Sequence, residues 1–326
     1  MIIKNRTVFV YDVEVFPNVF TCCAKNTESG NFKNYEISAR QNDIEDIVAL
    51  FKNKSIYPCG FNNLHYDDPL INFLILHFDS IKYASYWDIC SKLKELSDTI
   101  IATKDGNFAS WSKYKYAHCF PSIDLLTMMF SSKLRIGLKE LQVTMNYKNV
   151  QEFDGDFNSI LSNNDIDLVH KYNQNDVEST SVLLERLKGD IDLRLEIEKE
   201  YGVNVINKDG VNLGMEILKT RYLKETGLTW SDIKDKKSEC DSVNLKEIIF
   251  DFISFKTPEL QKLLDDVKAQ TIKIGDKTDF ERHFLIGGVE HTFGLGGLHS
   301  VNTPETFEVG EDEVLADYDV VLNWHN

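Results

Sequence analysis

The chain has 326 residues and a net charge of −16, from 36 basic and 52 acidic side chains. Hydrophobic residues make up 42% of it, which is enough to fill the core of one large domain or two. The acidic balance argues against a protein that coats nucleic acid by bulk attraction, because phosphate contacts normally come from Lys and Arg. A protein that engages only a few nucleotides needs local positive charge alone.

The sequence also predicts the compartment. Its start, MIIKNRTVFVYD, has no signal-peptide pattern, and the longest apolar run, around PLINFLILHF, is too short to span a bilayer. The cysteines have no metal-ligand spacing and are expected to be reduced thiols: Cys22, Cys23, Cys59, Cys90, Cys119 and Cys240. We therefore expect a cytoplasmic protein that does not contact membranes.

Residues 1–188 alternate predicted strands and helices. Three strands followed by alternating helices favour a ribonuclease-H-like α/β fold, with a mixed sheet flanked by helices. The predicted strands are 7–15, 18–25, 32–38 and 56–61, and the predicted helices are 42–53, 68–78, 86–97 and 165–187. Residues 189–285 are charged and predicted to be helical, including NLKEIIFDFISF, and form a connecting region. Residues 286–326 are glycine-rich and then strand-like.

The first strand carries two carboxylates. Asp12 and Glu14 lie two residues apart in VFVYDVEVF, so a strand places them side by side on one face. If both carboxylates were exposed on the protein surface, they would need no functional explanation. Their neighbours Val8, Val10 and Val13 indicate a buried central strand instead, where unpaired carboxylates are costly. Two such groups repel unless something positive lies between them.

Two further motifs carry acids. In GFNNLHYDD, Asn63 and Asp67 follow a predicted strand, although Asn and Asp also favour turns and helix caps. In HKYNQNDVE, Tyr172 and Asp176 are four residues apart, so a helix places both on one face; a surface pair is the alternative. His65 adjoins the second motif, but the oxygen-rich set favours hard cations over histidine ligation.

These residue types suit two-metal hydrolysis of a phosphodiester. Two divalent cations, Mg²⁺ or Mn²⁺, can stabilise the attacking and the leaving oxygen if carboxylates hold them. We expect Asp12 to bridge both ions, with Asp67 and Asp176 each completing one shell. Glu14, also an expected metal ligand, and the Tyr172 hydroxyl orient the attacking water. We expect Asn63 and Tyr66, which also belong to the second motif, to contact the terminal nucleotide.

The order Asp-x-Glu, then Asn-x-x-x-Asp with an aromatic residue before the Asp, then Tyr-x-x-x-Asp resembles the three exonuclease motifs of family B DNA polymerases, in particular the phage branch that includes the protein-primed enzymes. Each motif alone occurs by chance in many chains, whereas all three in this order over about 165 residues are specific. The resemblance implies a 3′–5′ proofreading exonuclease acting on a single-stranded 3′ end or a primer–template. It also implies a phage-encoded protein in a bacterial cytoplasm, with a priming protein as a further partner.

Smaller matches extend the resemblance. In PSIDLLTMMFSSKLRIGLKELQ, Asp124 matches an acid that supports the family's site, and an N-cap of the following helix is the alternative. In FGLGGLHSVN, Gly296 and Gly297 match the Tyr-x-Gly-Gly signature that touches template, and a plain turn is the alternative. Here the sequence departs from the family, because Gly294 stands at the aromatic position and Phe293 lies one residue early.

The last residues resemble the approach to the first polymerase motif. In VLADYDVV, Asp319 stands at the position of a palm metal ligand, but the chain then reads LNWHN where the family continues with a Ser-Leu-Tyr-Pro-like stretch. The resemblance therefore implies an exonuclease domain (1–188), a helical connecting region (189–285) and a truncated start of the palm (286–326). The alternatives are an inactive or split-polymerase fragment that needs the missing half as its partner chain, and a stand-alone DEDD exonuclease.

A basic and aromatic segment, WSKYKYAH, is the best local candidate for phosphate contact and base stacking. Lys113 and Lys115 alternate there with Tyr114 and Tyr116. The pattern favours the other interpretation, an amphipathic strand with solvated lysines.

Overall fold

The computed structural model describes residues 1–103, 110–130, 136–236, 241–273, 281–286, 288–294 and 297–300, together with 306, 308–310 and 314. The chain divides into two compact units, Met1–Trp230 and Ser231–Asn326. The division falls within the stretch 189–285 that we expected to connect two domains.

A mixed six-stranded sheet forms the centre of the first unit. Its strand order is β4-β3-β2-β5-β6, with the short β1 paired antiparallel to the start of β2. The first three strands are mutually antiparallel, whereas β5 runs parallel to β2 and β6 parallel to β5. The strands are β1 (Ile2–Ile3), β2 (Arg6–Phe16), β3 (Val19–Asn26), β4 (Phe32–Ile37), β5 (Ile56–Gly60) and β6 (Ile123–Asp124).

Helices cover both faces of this sheet. The helices of the first unit are α1 (Ile44–Lys52), α2 (Asp67–Ile81), α3 (Tyr86–Ala102), α4 (Ser112–Lys115), α5 (Leu125–Met129), α6 (Leu138–Thr144), α7 (Asn163–Arg186), α8 (Lys188–Tyr201) and α9 (Gly210–Thr226), and α10 (Trp230–Ile233) begins at the last residue of this unit. The predicted mixed α/β sheet flanked by helices is confirmed. No helix in the described ranges is both long and apolar enough to cross a membrane.

The two faces of β2 bury different residues, because successive side chains of a strand point to opposite sides. One face packs against α1, α2 and α3 through its odd-numbered side chains: Phe9, Tyr11, Val13 and Val15. The other face packs Val8 and Val10 against α7 and α8. Asp12 and Glu14 continue this even-numbered face, so the strand directs both carboxylates to the side that α7 covers.

The long helix α7 begins with a capping box. The Ser162 side chain accepts a hydrogen bond from the Asp165 backbone, and the Asp165 side chain accepts one from the Ser162 backbone. Ile166 and Val169 then pack against Phe16 and Val19, at the end of β2 and the start of β3. These contacts fix the helix against the even face of β2.

The second unit contains two small antiparallel sheets. One pairs β7 (Ser242–Asn244) with β8 (Thr271–Lys273), and the other joins β9 (Arg282–Ile286), β10 (Val289–Gly294) and β11 (Gly297–Ser300) in the order β11-β10-β9. The described residues of this unit also form α11 (Leu245–Ile248) and α12 (Pro258–Lys268). Leu245 and Val267 pack together as buried residues of this unit.

Two local predictions are wrong. NLKEIIFDFISF forms only the single turn α11, because the backbone is extended at Ile249 (ψ 118°), in a run of β-branched and aromatic residues that lose side-chain freedom in helices. WSKYKYAH contains the helical turn α4, not a strand. Trp111 and Tyr114 are its buried residues, and a spacing of three suits one face of a helix.

Candidate active site

Three carboxylates converge between β2 and α7. Oxygen atoms of Asp12, Glu14 and Asp176 all lie within 4.8 Å of one another. Asp12 and Glu14 are half-buried, whereas Asp176 is buried. Carboxylate oxygens at this spacing repel one another in low-dielectric surroundings and are the ligands that hard divalent cations prefer. The arrangement therefore fits a cation held by oxygen ligands.

Asp67 approaches the same region from the start of α2. It is 4% exposed, and its Oδ1 accepts a hydrogen bond of 3.1 Å from the backbone N–H of Val13, between the two acids of β2. Its charge raises the pKa of both Asp12 and Glu14. The second motif thus brings a fourth carboxylate to the trio, anchored through the β2 backbone.

Burial and mutual repulsion raise the pKa values of these acids. The pKa of Glu14 rises to about 8 through burial first and then through Asp176 and Asp67. The pKa of Asp67 rises to about 8 through burial and then through Asp68. Burial followed by Asp67, Glu14 and Asp176 raises the pKa of Asp12 well above its ordinary value. Without a cation, the site therefore retains protons near neutral pH.

One lysine offsets part of this charge. Lys139 of α6 forms an ion pair with Oδ1 of Asp176, and its positive charge lowers the pKa of Asp12 and Glu14. Gln142, one helical turn later, donates hydrogen bonds of 3.2 Å to Asp176 Oδ1 and 2.7 Å to Ser179 Oγ. Sequence reasoning missed both residues, although their three-residue spacing in GLKELQ places them on one helix face.

Asn173 is another residue that the motif analysis missed. It is fully buried, and its Nδ2 donates a hydrogen bond of 2.5 Å to Asp12 Oδ2. Its own Oδ1 and the Oε1 of Gln142 are buried without a hydrogen-bond partner among the described residues. The three carboxylates form an all-oxygen donor set, which is the set that Mg²⁺ and Mn²⁺ prefer. The residues present therefore fit divalent cations.

Tyr172 lies at the rim of the trio. Burial, followed by the charges of Asp176 and Glu14, raises the pKa of its hydroxyl, which therefore stays protonated. The Lys139 ammonium lies 4.5 Å from the centroid of its ring. The third motif thus places a neutral hydroxyl and a carboxylate together on one face of α7, as the four-residue spacing predicts.

Asn63 lies in a buried network next to the site. It is fully buried in a 3₁₀ turn (Asn63–His65), and its Nδ2 donates to Asp68 Oδ1 at 3.1 Å and to Ser122 Oγ at 2.6 Å. Tyr11 also donates to Asp68. A Cβ at Gly60 would lie 2.8 Å from that of Asn63, so this glycine leaves room for the inward-turned amide. The network holds the loop before Asp67, and the amide does not reach solvent.

Asp124 caps α5 and anchors the same loop. Its carboxylate accepts hydrogen bonds from the backbone N–H groups of Leu126 and Thr127, and from those of Asn62 and Leu64. This is the N-cap arrangement that the sequence left open. Asp124 is fully buried, so it supports the position of the second motif through backbone contacts.

The other predicted residues are more dispersed. The Tyr66 hydroxyl lies 2.7 Å from Ser97 Oγ. Burial, followed by the charges of Glu14, Asp67 and Asp12, raises the pKa of this hydroxyl, so Tyr66 lies near the site. His170, beside the third motif, lies 2.9 Å from Glu36 through Nε2 and does not belong to the trio. Gly297 pairs with Gly294 at the start of β11. Gly296, Asp319 and Cys240 lie outside the described residues.

Comparisons with known proteins give a weak structural match. No protein-family model matches the chain, and no curated protein matches it. One solved structure that matches is the zinc-bound form of an E. coli ExoI–ssDNA complex, with 15% sequence identity and a TM-score of 0.27. The match covers 59% of this chain and 42% of that chain.

Proposed function

We propose that this protein is a 3′–5′ exonuclease that hydrolyses the terminal phosphodiester of a DNA strand with two divalent cations. The observation that carries the proposal is the convergence of Asp12, Glu14 and Asp176 within 4.8 Å, with Asp67 anchored beside them on Val13. Four buried or half-buried acids at one point are costly unless cations neutralise them. Their raised pKa values express that cost.

Some of these residues would hold the metal ions, and others orient the acids that would hold them. Asp12 would be the ligand shared by two Mg²⁺ or Mn²⁺ ions, which Glu14, Asp176 and Asp67 would also hold. When bound, such ions supply positive charge at the attacking and leaving oxygens and lower the pKa of bound water. Asn173 keeps Asp12 oriented through its hydrogen bond. Gln142 does the same for Asp176.

Tyr172 and Lys139 serve the chemistry directly. The Tyr172 hydroxyl stays protonated and donates a hydrogen bond that orients the attacking water. The ammonium of Lys139, next to both Asp176 and the Tyr172 ring, stabilises negative charge that develops on the phosphate. Hydrolysis breaks the P–O3′ bond and releases a nucleoside 5′-monophosphate.

We further propose that the chain belongs to a phage-type family B DNA polymerase, as the three ordered motifs and the match to its domain-linking signature imply. In that arrangement residues 1–188 trim 3′ ends, 189–285 connect, and 286–326 begin the palm domain. Mismatched single-stranded 3′ ends or a primer–template are then its substrates, in a bacterial cytoplasm.

Degradation of a 5′-labelled single-stranded DNA oligonucleotide tests the nuclease proposal. We expect a ladder that shortens from the 3′ end with Mn²⁺ or Mg²⁺, and no cleavage with EDTA. Asp12→Ala should abolish cleavage. In the metal-free state this variant should be at least as stable as the parent, because one repelling carboxylate is removed.

The matched control is Asp46→Ala, which removes an exposed carboxylate that pairs with Lys33 on the protein surface. It should cleave normally. Metal-dependent cleavage that survives in Asp12→Ala would overturn the metal assignment. Absence of cleavage by a folded protein that still binds metal would favour the split-polymerase alternative.

A further inference from the structure

A small cavity of about 230 Å³ is lined by parts of α2, α3 and α4, and none of the four acids of the active site contributes to its wall. The α3 residues in the wall are spaced i, i+3, i+4 and i+7, so they share one helix face: Lys92, Glu95, Leu96 and Thr99. Phe73 of α2 and the segment around α4 complete the lining. This volume is below the range of pockets for drug-sized ligands and suits a smaller group such as one nucleobase.

The aromatic part of the lining has a fixed orientation. Trp111 and Tyr114 are only 3% and 8% exposed, and the Tyr114 ring meets the Phe73 ring edge-on at 5.4 Å between centroids. The indole N–H of Trp111 donates a hydrogen bond of 2.7 Å to Thr103 Oγ1, and Asn72 Nδ2 donates one of 2.8 Å to the Tyr114 carbonyl. Rings held by several neighbours lose little freedom when a flat ligand contacts them.

Two exposed lysines give the cavity a positive charge. Lys92 and Lys113 both line it, against the single carboxylate of Glu95 among the lining residues. No ion pair between described residues includes either lysine, whereas Lys94 of the same helix pairs with Asp98. In a protein with a net charge of −16, two unpaired ammonium groups at one cavity mark a local site for an anion.

The cavity lies close to the carboxylates along two helices. Leu96 in its wall precedes Ser97, whose Oγ lies 2.7 Å from the hydroxyl of Tyr66 at the active site. On α2, Phe73 follows the acid Asp67 by six residues, which is about 9 Å along the helix axis. A single strand of a few nucleotides therefore spans the two places.

Charge and lining together favour single-stranded DNA as the occupant. Proteins that bind single strands combine cations that contact the phosphates with aromatic side chains that contact the bases, and this cavity has both. The bases of a duplex are paired inside the helix and cannot enter a cavity of this size. An acidic peptide would match the lysines but would leave the aromatic lining unused.

We propose that the cavity between α3 and α4 binds a nucleotide that lies on the 5′ side of the one at the carboxylates. Its base contacts the aromatic lining, and its flanking phosphates contact Lys92 and Lys113. The inference rests on the proposed nuclease function and adds a second contact point for the substrate strand. It gives the basic and aromatic segment WSKYKYAH, which belongs to none of the three motifs, a role in substrate binding.

The salt dependence of binding tests this assignment without turnover. Anisotropy of a 5′-labelled single-stranded oligonucleotide is measured at several KCl concentrations, with a fixed concentration of Ca²⁺ in place of Mg²⁺. Each phosphate contact adds about 0.7 to the slope of log association constant against log salt for a single strand. In Lys92→Ala/Lys113→Ala the slope should therefore fall by about 1.4, and affinity in 0.1 M salt should fall roughly 25-fold.

A charge-matched control separates local contacts from overall charge. Lys54→Ala/Lys224→Ala removes the same two charges from exposed positions of the same unit that do not line the cavity. It should keep the parent's slope and affinity. All four lysines are exposed, so both double variants should fold, and thermal unfolding checks this.

A short ligand locates the effect. Thymidine 5′-monophosphate, which is too short to reach from the carboxylates to the cavity, should bind the parent and Lys92→Ala/Lys113→Ala with equal affinity in Ca²⁺. An equal loss of affinity for this nucleotide and for the long strand would contradict a separate subsite, because the lysines would then act at the carboxylates.

The outcomes also separate this inference from the nuclease proposal. Equal slope and affinity of the parent and a folded Lys92→Ala/Lys113→Ala for the long strand overturn the subsite. If the parent nevertheless cleaves DNA with Mg²⁺, the nuclease proposal stands without it. Binding that depends on Lys92 and Lys113 but not on Lys54 and Lys224, in a protein that does not cleave, supports the subsite and contradicts the nuclease function.

Discussion

Lys139 of α6 forms an ion pair with Asp176 of α7, and its ammonium lies over the ring of Tyr172 at 4.5 Å. The lysine therefore contacts both functional residues of the third motif. It is 23% exposed at the edge of a group of four acids. Its positive charge lowers the pKa values of Asp12 and Glu14, which favours the ionised carboxylates that bind metal.

Replacing this lysine should change the pH dependence of catalysis. In Lys139→Met the pKa values of Asp12 and Glu14 rise further, so the acidic limb of the pH–rate profile should move to higher pH. Turnover at the optimum should fall on the order of 10²-fold, because one charge that stabilises the transition state is lost. Lys94→Met is the control, since it removes an ion pair with Asp98 on α3. An acidic limb that does not move would show that Lys139 has no electrostatic role.

Stability of the metal-free protein should fall as pH rises. The folded-state pKa of Glu14 is about 8 against an ordinary value of 4.5, so the folded protein holds a proton that the unfolded chain has lost between these values. The native state then binds more protons than the unfolded state, and the free energy of unfolding decreases with pH. Asp67, with a pKa of about 8, acts in the same direction.

Thermal unfolding in EDTA from pH 4.5 to 8 measures this effect. Glu14→Gln should have a shallower decline and a higher Tm than the parent at pH 8. Added Mn²⁺ should raise the parent's Tm most at pH 8, where the fewest protons compete for the carboxylates. The exposed substitution Glu45→Gln should follow the parent. Stability that rises with pH across this window would contradict the electrostatic account.

The Tyr172 hydroxyl should matter for turnover and not for metal binding. Tyr172→Phe keeps the ring that contacts Phe153 and Lys139 but removes the donor to water. Turnover should drop on the order of 10²-fold, the lower end of what one positioned proton donor contributes. Titration with Mn²⁺ should give the parent's affinity. Tyr114→Phe is the control: it removes a buried hydroxyl near His77 and should leave both turnover and Mn²⁺ affinity unchanged. A large loss of Mn²⁺ affinity in Tyr172→Phe would mean that the Tyr172 hydroxyl binds metal.

We expect the Asp124 carboxylate to contribute mainly to the stability of the fold. Asp124→Ala leaves four backbone N–H groups without their acceptor, so we expect a loss of about 2–4 kcal/mol in the free energy of unfolding. Urea unfolding with an unchanged m-value measures it. Asp209→Ala, which removes the N-cap of α9, should cost less because its carboxylate has fewer backbone donors. Unchanged stability with weakened DNA binding would instead indicate that Asp124 contacts the substrate.

Local patterns in the sequence predict the sheet and which motif residues share one face of a strand or helix. The two-residue period of β2 puts Asp12 and Glu14 on one face of the strand. The four-residue step in α7 puts Tyr172 and Asp176 on one face of that helix. Both inferences need only backbone geometry. The valines Val8, Val10 and Val13 also indicate the central strand, and β2 lies in the middle of the sheet order in the structure.

Residues that act through long-range contacts could not be found in this way. Asn173 touches Asp12 across 161 positions, and Lys139 reaches Asp176 across 37. Neither pairing follows from a local period, because the first depends on how α7 packs against β2 and the second on how α6 packs against α7. The contact of Asn63 with the nucleotide stays a prediction, but the partners of its Nδ2, Ser122 and Asp68, could not be predicted for the same reason, because they meet only when β6 lies beside β5.

Anomalous diffraction from crystals grown with Mn²⁺ and a nucleoside 5′-monophosphate tests the central claim most directly. The account predicts two manganese peaks about 4 Å apart, both within ligand distance of Asp12. One peak should contact Glu14 and Asp176, and the other should contact Asp67. The absence of a peak at these carboxylates, or manganese bound only elsewhere, would contradict the two-metal site.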